Sequence, residues 1–275
     1  MSEEKYVGYV HSGKEYDSEL DRLERQASIF EPTTIRHLET MGITEGWKCL
    51  EVGAGTGPTA RWLSNRVGSK GRVVATDIDM RFLERLNIPN LEVRRHDILK
   101  DDLERDEYDL VHCRKLLEHL PDPEKALKKM AHAVRPGGWL LVEEDDYGSM
   151  LSVDVTDPSA VSLTAALRRS FDSILKRSPV NPHFGRRLRG LVEGLGFVEV
   201  GNEGWTCMTR GGDPLAQLIA TDMQLTSRLI TIPAGVVTQE EADKYCRLIL
   251  DPTFYYPCYT FFSAWGRKPI GEGRT

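Results

Sequence analysis

The chain has 275 residues, 40% of them hydrophobic and 28% charged, long enough to bury a real core as one large domain or as a core domain with a sizeable elaboration. No run of about 18 apolar residues occurs, and the opening MSEEKYVGYV lacks a basic stretch followed by an apolar one, so the sequence predicts no membrane span, no secretory leader and a cytoplasmic protein. The formal charge of -6 argues against broad attraction to nucleic acid, and five scattered cysteines with no C-x-x-C pair (Cys49, Cys113, Cys207, Cys246 and Cys258) read as reduced, buried thiols without a metal or redox task.

Residues 1–18 are polar, with Tyr6, Tyr9 and Tyr16 spaced among glycines, which suggests an irregular arm able to fold over a pocket. From Ser18, the residues Leu20, Leu23, Ala27 and Phe30 keep helical spacing. Pro32 then opens a second helix at its permitted first turn, Ile35, Leu38 and Met41 continue it, and Gly42 stops it. This arm and helical cap, 1–44, offers Arg25 and Gln26 as polar candidates for a pocket lining, against the plainer reading of both as surface residues.

Residues 45–146 alternate strand and helix with short connections, the pattern of a parallel sheet covered on both faces. Cys49 to Val52 is the first strand. It breaks into Gly53-Ala54-Gly55-Thr56-Gly57, whose alternate glycines let the chain turn sharply while a ligand lies against bare backbone. This G-x-G-x-G departs from the dinucleotide fingerprint in its third glycine and carries an acid, Glu51, two residues before the first. Alone it is equally a plain strand-to-helix turn.

Ala60, Leu63 and Val67 stripe the next helix, and Arg72 to Thr76 is a second strand ending in Asp77. An acid about 20 residues beyond such a turn accepts hydrogen bonds from ribose hydroxyls and disfavours a phosphate. The competing role for Asp77, capping a helix that begins near Met80, suits Asp79 at least as well. Leu91 to Arg95 is the third strand. Just past it, Asp97 is placed to accept from the exocyclic amine of adenine, with Ile98 to cover the ring. Tyr108 to Cys113 is the fourth strand. Ala126, Leu127, Met130, Ala131 and Val134 stripe a helix, and Pro136-Gly137-Gly138 turns into a fifth strand, Trp139 to Glu143.

Taken in order, EVGAGTG, ATD, HDI, YDLVHCRKLLEHLPD and VRPGGWLLVEED resemble the successive motifs of class I S-adenosylmethionine-dependent methyltransferases over about residues 45–146. The resemblance implies an α/β, Rossmann-like, seven-stranded and mostly parallel sheet whose last strand is antiparallel. Phe197 to Val200 fits the sixth strand and Tyr259 to Trp265 the last. It implies S-adenosylmethionine as cofactor, with Gly53 and Gly55 admitting the methionine portion and Glu51 orienting the loop or the amino group. Asp77, with Ile78 beside it, would hold the ribose, Asp97 and Ile98 would frame adenine, and Cys113 would meet the methionine moiety through its backbone. After the fourth strand the chain reads Cys113-Arg114-Lys115-Leu116, without the [DNS]-P-P-[YFW] of members that methylate amines on nucleic acid and glutamine. Pro257-Cys258 resembles the dipeptide of cytosine C5 methyltransferases but stands before the last strand, so Cys258 reads as core.

Two insertions, 147–182 and 206–253, flank a core helix and strand at 183–205, and the last strand and tail occupy 254–275. Ligands of open α/β sheets bind beyond the carboxyl ends of the strands, so both insertions are expected to form a helical lid. Leu163, Leu167, Phe171, Ile174 and Leu175 make one apolar stripe; Leu215, Leu218, Ile219, Met223 and Leu229 make another. Such stripes suit a partly apolar small molecule, though they serve equally as lid core or as a contact between copies of the chain. The basic run RRLRG at 186–190 reads as the solvated face of a helix.

Candidates for a general base near the strand ends are Asp145, Asp146, Tyr147, Arg114 and His119, with His183 reachable from the lid. Asp145 and Tyr147 are preferred, and His119 is more often a packing residue. The expectation is methyl transfer to an oxygen, nitrogen or carbon of a small metabolite. Its rivals are a non-methylating cyclisation or rearrangement on the same cofactor, a nucleic-acid or protein methyltransferase, and a noncatalytic binding module.

Overall fold

The computed structural model describes residues 16–151 and 157–271; the arm's Tyr6 and Tyr9 lie outside them. In chain order the elements are α1 (Tyr16–Thr40), β1 (Lys48–Val52), α2 (Pro58–Val67), β2 (Arg72–Asp77), β3 (Leu91–Arg95), β4 (Tyr108–Arg114), α3 (Pro123–Ala133) and β5 (Val134–Asp146). They continue with α4 (Pro158–Arg177), α5 (Leu188–Gly194), β6 (Val198–Trp205), β7 (Met208–Arg210), α6 (Pro214–Thr226), α7 (Gln239–Leu250), β8 (Tyr255–Pro257) and β9 (Thr260–Arg267).

Seven strands form one sheet in the order β3-β2-β1-β4-β5-β9-β6. The pairs β1–β2, β1–β4, β2–β3 and β4–β5 are parallel, and β9 runs antiparallel to both β5 and β6 between them. The expected seven-stranded, mostly parallel sheet with an antiparallel last strand is therefore present. β1 and β2 are near-continuous runs of buried residues because the sheet is covered on both faces. One face packs Leu38, Leu63, Val67, Leu110 and Leu141; the other packs Leu50, Val111, Met130, Leu140 and Leu188.

Several expectations need correction. Pro32 does not open a second helix but lies inside the single helix α1. Its ring removes one donor from an exposed stretch, while Phe30, Thr34 and Leu38 on the buried side hold the helix across the gap. Near Met80 there is only a 3-10 turn, Leu83–Arg85. Val134 belongs to β5, and Pro136-Gly137-Gly138 forms an irregularity inside that strand, where the register against β4 shifts and Gly137 takes φ +78°. β5 does not end at Glu143 but carries Glu144, Asp145 and Asp146 onward, paired with Phe262, Phe261 and Thr260 of β9. The second insertion is not wholly helical, since β7 and β8 make a small antiparallel sheet of their own. Leu175 and Leu229 are 46% and 40% exposed and leave the stripes to which they were assigned.

The lid has its own core, in which Leu163, Leu167 and Phe171 of α4 meet Leu215 and Ile219 of α6, Ile249 of α7, and Phe30, Tyr259 and Phe261 from the sheet side. No helix among the described residues is long and apolar enough to cross a membrane. The basic run at 186–190 is neutralised in place: Arg186 pairs with Asp146, Arg187 with Glu124 and Arg189 with Glu193.

Candidate active site

The strand tips build the first half of the site. Gly53 and Ala54 donate their N–H groups to the Thr76 carbonyl at 2.8 and 2.9 Å, which draws the glycine loop over the end of β2. Gly53, Gly55 and Gly57 all take positive φ, 72°, 56° and 79°. Their surroundings separate their tasks. A Cβ on Gly57 would stand 2.3 Å from Leu86 Cδ1, and one on Gly53 would stand 3.1 Å from Leu116 Cδ1, so both glycines serve close packing. A Cβ on Gly55 would meet nothing within 4 Å; that glycine faces open space.

Asp77 fastens the loop from below, accepting from Gly55 N and Asp79 N, each at 2.9 Å. Burial pushes its carboxyl above the ordinary range against those hydrogen bonds. Two N–H donors leave about two of its four lone-pair sites for another partner. Beside it Ile78 is 60% exposed, an apolar side chain presented at the rim of the loop. Asp97 accepts from Leu99 N at 3.0 Å and from Lys100 Nζ at 2.8 Å, and the Lys100 contact holds its carboxyl below the ordinary range; Ile98 is buried. Cys113 is buried level with Val52, immediately before the glycine loop, and burial pushes its thiol up.

Glu51 is engaged by β4. Its Oε2 lies 2.6 Å from His112 Nδ1, and His112 Nε2 lies 3.2 Å from Glu143 Oε2. Ser263 donates to Glu143 Oε1 at 2.6 Å, Thr34 donates to Oε2, and Arg114 donates to Thr34 Oγ1 at 3.0 Å. This buried chain joins β1, β4, β5 and β9 to α1. Burial alone would push the His112 imidazole down, but the Glu51 and Glu143 carboxylates raise it to about 9. Arg114, a candidate base by position, is thereby committed to α1.

Between the strand ends and the lid lies a cavity of about 150 Å³ lined by Lys115, Glu118, His119, Asp145, Tyr147 and Tyr259 from the core side. Arg22 and Gln26 of α1, Leu167, Phe171 and Ile174 of α4, and Ile219, Asp222 and Met223 of α6 close it from the lid side. The preferred catalytic candidates Asp145 and Tyr147 both reach it, and so does the less favoured His119. Asp146 does not line it, being held by Arg186 Nη2 at 2.8 Å, His183 Nδ1 at 3.3 Å and Gly148 N at 2.7 Å. His183 is held in that same contact. Gln26 lines the cavity, whereas Arg25 turns to Gln217.

The residue sequence reasoning missed is Lys115. Its ammonium pairs with Asp145 Oδ2 and lies 4.0 Å from the Phe30 ring centroid and 4.7 Å from that of Tyr259. Its main chain is left-handed at φ 53°, which costs a non-glycine residue roughly 1 kcal/mol. The sequence signal was a lysine between the fourth strand and an apolar pair, indistinguishable there from a surface charge. Tyr147 Oη also donates to Asp145 Oδ2, at 3.3 Å, while Asp145 Oδ1 is buried without a hydrogen-bond partner among the described residues. Burial raises the Asp145 carboxyl, and Lys115 opposes the rise. Burial, with the Asp145 and Glu144 charges, pushes Glu118 well up, and burial pushes His119 down to about 3, so His119 is neutral.

A family model described as a methyltransferase domain matches residues 14–200. The chain belongs to the class I S-adenosylmethionine-dependent methyltransferase family. A methyltransferase of Strobilurus tenacellus is 27% identical over 64% of this chain and 62% of its own length. A ubiquinone biosynthesis O-methyltransferase of Hydrogenovibrio crunogenus is 28% identical over 60% of this chain and 71% of its own. The chain spans about half to three fifths of the length of the first curated relatives it matches. Among solved structures, the Haemonchus contortus phosphoethanolamine N-methyltransferase 2 bound to S-adenosylhomocysteine matches with a TM-score of 0.54 at 15% identity. That match covers 86% of this chain and 52% of that one, and it is a likeness of fold.

Members of the family use S-adenosylmethionine, and the residues present fit it. The open space over Gly55, the spare acceptor capacity of the half-buried Asp77 carboxylate and the exposed Ile78 side chain stand together at the strand tips.

Proposed function

We propose that this protein transfers the methyl group of S-adenosylmethionine to a small, partly apolar molecule seated in the cavity beneath α4 and α6, with Asp145 accepting the proton that the nucleophile releases. The observation that carries this reading is the buried, unpartnered Asp145 Oδ1 in the cavity wall, whose sister oxygen is occupied by Lys115 and Tyr147. A carboxylate so held needs a donor, and an acceptor arriving as O–H supplies one; N–H and acidic C–H acceptors meet the same requirement. A hydroxyl is the acceptor this arrangement serves best, and the relative from ubiquinone biosynthesis, an O-methyltransferase, supports that choice.

When bound, S-adenosylmethionine supplies an electrophilic methyl on a sulfonium. The chain's residues do the rest. Gly55 and Asp77 would hold the amino-acid and ribose ends, with Ile78 beside the ribose, Asp97 and Ile98 would frame the base, and Cys113 would present its backbone near the tip of β4. Leu167, Phe171, Ile219 and Met223 keep water from the reacting atoms, so alignment is won in a dry site. The Lys115 ammonium opposes the upward push of burial on Asp145 and, by occupying Oδ2, leaves Oδ1 for the acceptor. Neutralisation of Arg186, Arg187 and Arg189 by local carboxylates favours a small molecule over a polyanion.

The test supplies methyl-labelled S-adenosylmethionine with a panel of small phenols, aliphatic alcohols and amines. Asp145→Asn is expected to lower transfer by roughly 10²–10⁴-fold while calorimetric affinity for S-adenosylhomocysteine stays unchanged. Full activity in that variant would remove Asp145 from the mechanism, and product without label would replace methyl transfer by a rearrangement.

A further inference from the structure

Cys207 and Cys258 read from the sequence as unrelated core thiols, yet the fold sets them face to face. The β7–β8 register pairs Met208 with Pro257, and one step further places Cys207 opposite Cys258. Just past the end of the ladder, Cys258 N donates to the Cys207 carbonyl at 2.9 Å, while Cys207 N donates to the Cys258 side-chain sulfur at 3.4 Å. Directly opposed residues of an antiparallel pair have Cα atoms about 4.5–5.5 Å apart, inside the span a disulfide bridges. The sulfurs stand 3.6 Å apart, both reduced.

The two thiols are unequal. Cys258 is fully buried, whereas Cys207 is partly open to solvent. The contact with the Cys258 sulfur, whose own proton is donated to the Tyr259 carbonyl at 2.9 Å, pushes the Cys207 thiol down to about 6, against the effect of burial; Thr209 Oγ1, 3.5 Å away, adds to the lowering, and the Asp213 charge opposes it. The other cysteines, Cys49, Cys113 and Cys246, are buried, and burial pushes their thiols up. One accessible thiolate beside a buried partner is the arrangement of an attacking and a resolving cysteine.

We propose that Cys207 and Cys258 form a peroxide-responsive dithiol whose reversible disulfide staples the lid insertion to the sheet. The Cys207 thiolate attacks one oxygen of hydrogen peroxide, forming an S–O bond as the O–O bond breaks and hydroxide leaves. The Cys258 sulfur then attacks the Cys207 sulfur: the S–S bond forms, the S–O bond breaks, and the hydroxide that departs takes the Cys258 proton and leaves as water. The dithiol loses two electrons and the peroxide gains them.

The position gives the bond its consequence. Cys207 lies on the strand connection that leaves β6 for the insertion, and Cys258 on the one that returns from β8 to β9. Ser149 donates to the Cys258 carbonyl at 2.8 Å, and the next residue, Tyr259, forms part of the cavity wall and packs over Lys115. A covalent tie there fixes both crossings beneath the lid.

The experiment treats the folded full chain with hydrogen peroxide at about one to ten equivalents, alkylates it and reads peptide masses, with thermal melting and S-adenosylhomocysteine titration alongside. Expected are a 207–258 linked peptide reversed by dithiothreitol, an upward melting shift of roughly 5 °C and unchanged S-adenosylhomocysteine affinity. Cys207→Ser is expected to lose both link and shift. In Cys258→Ala, Cys207 is expected to pass to sulfinic acid, and because the substitution is at a buried site, Cys258→Ser serves as its check. Wild-type protein whose Cys207 reaches sulfinic acid with no linked peptide, or which links Cys207 to another cysteine, overturns the proposal.

Discussion

At the scale of single residues, the three glycines of the loop after β1 look alike in sequence and differ in what a side chain would meet. Gly57→Ala drives a methyl to 2.3 Å from Leu86 at a left-handed φ, so it should cost about 1–3 kcal/mol in chemical denaturation. Gly55→Ala meets no atom within 4 Å and should lose only about 1 kcal/mol for its backbone, while calorimetric affinity for S-adenosylhomocysteine falls by roughly tenfold or more, because the added methyl enters the space assigned to the cofactor. Equal stability losses with cofactor affinity intact in Gly55→Ala would place the ligand elsewhere. The glycine pattern made the turn legible; only the surroundings of each Cβ separated packing from cradle. Lys115 illustrates the opposite limit. Its ion pair with Asp145 and its aromatic enclosure by Phe30 and Tyr259 join residues far apart in the chain, so no local spacing announced them.

At the scale of elements, β1 and β2 were legible because strands buried on both faces read as apolar runs ended by Gly or Asp, while the far end of β5 was not. Glu144-Asp145-Asp146 has the composition of a loop, yet each acid is engaged from another element: Glu144 by the N–H groups of Leu116, Leu117 and Glu118, Asp145 through Oδ2 by Lys115, and Asp146 by Arg186. The same cross-element logic governs Glu51-His112-Glu143, which ties three strands together through one charged imidazole. His112 is raised to about 9 in the folded state from an ordinary value near 6.5. Its contribution is therefore fully present below pH 6.5 and is lost as pH rises through 9; by linkage it amounts to about 3 kcal/mol. Denaturant unfolding of wild type and His112→Gln should differ by about that amount at pH 6 and converge by pH 10. A gap of the same size at both pH values would mean that the imidazole is not held protonated by its carboxylates.

At the scale of the whole molecule, the chain carries apolar clusters on both sheet faces and a separate one in the lid, and the two halves of the site divide along that line. Gly55, Asp77 and Cys113 belong to the sheet's tips, whereas Phe171, Ile219 and Met223 reach the cavity from α4 and α6. Regions with fewer buried partners open locally at lower free energy than a central sheet does. Amide hydrogen exchange should therefore find α4 and α6 exchanging faster than β1 and β4 in the free protein. S-adenosylhomocysteine should slow exchange in the segments 53–57 and 77–79 while leaving α4 and α6 close to their free rates, because its assigned contacts lie on the strand tips. Adding an acceptor that is methylated in the labelled-cofactor assay should then slow α4 and α6 as it fills the cavity between the two cores. If the cofactor product alone protects the lid fully, the two halves move as one body and acceptor entry must precede cofactor closure; if the acceptor protects neither helix, the cavity under α4 and α6 is not where the methyl group is received.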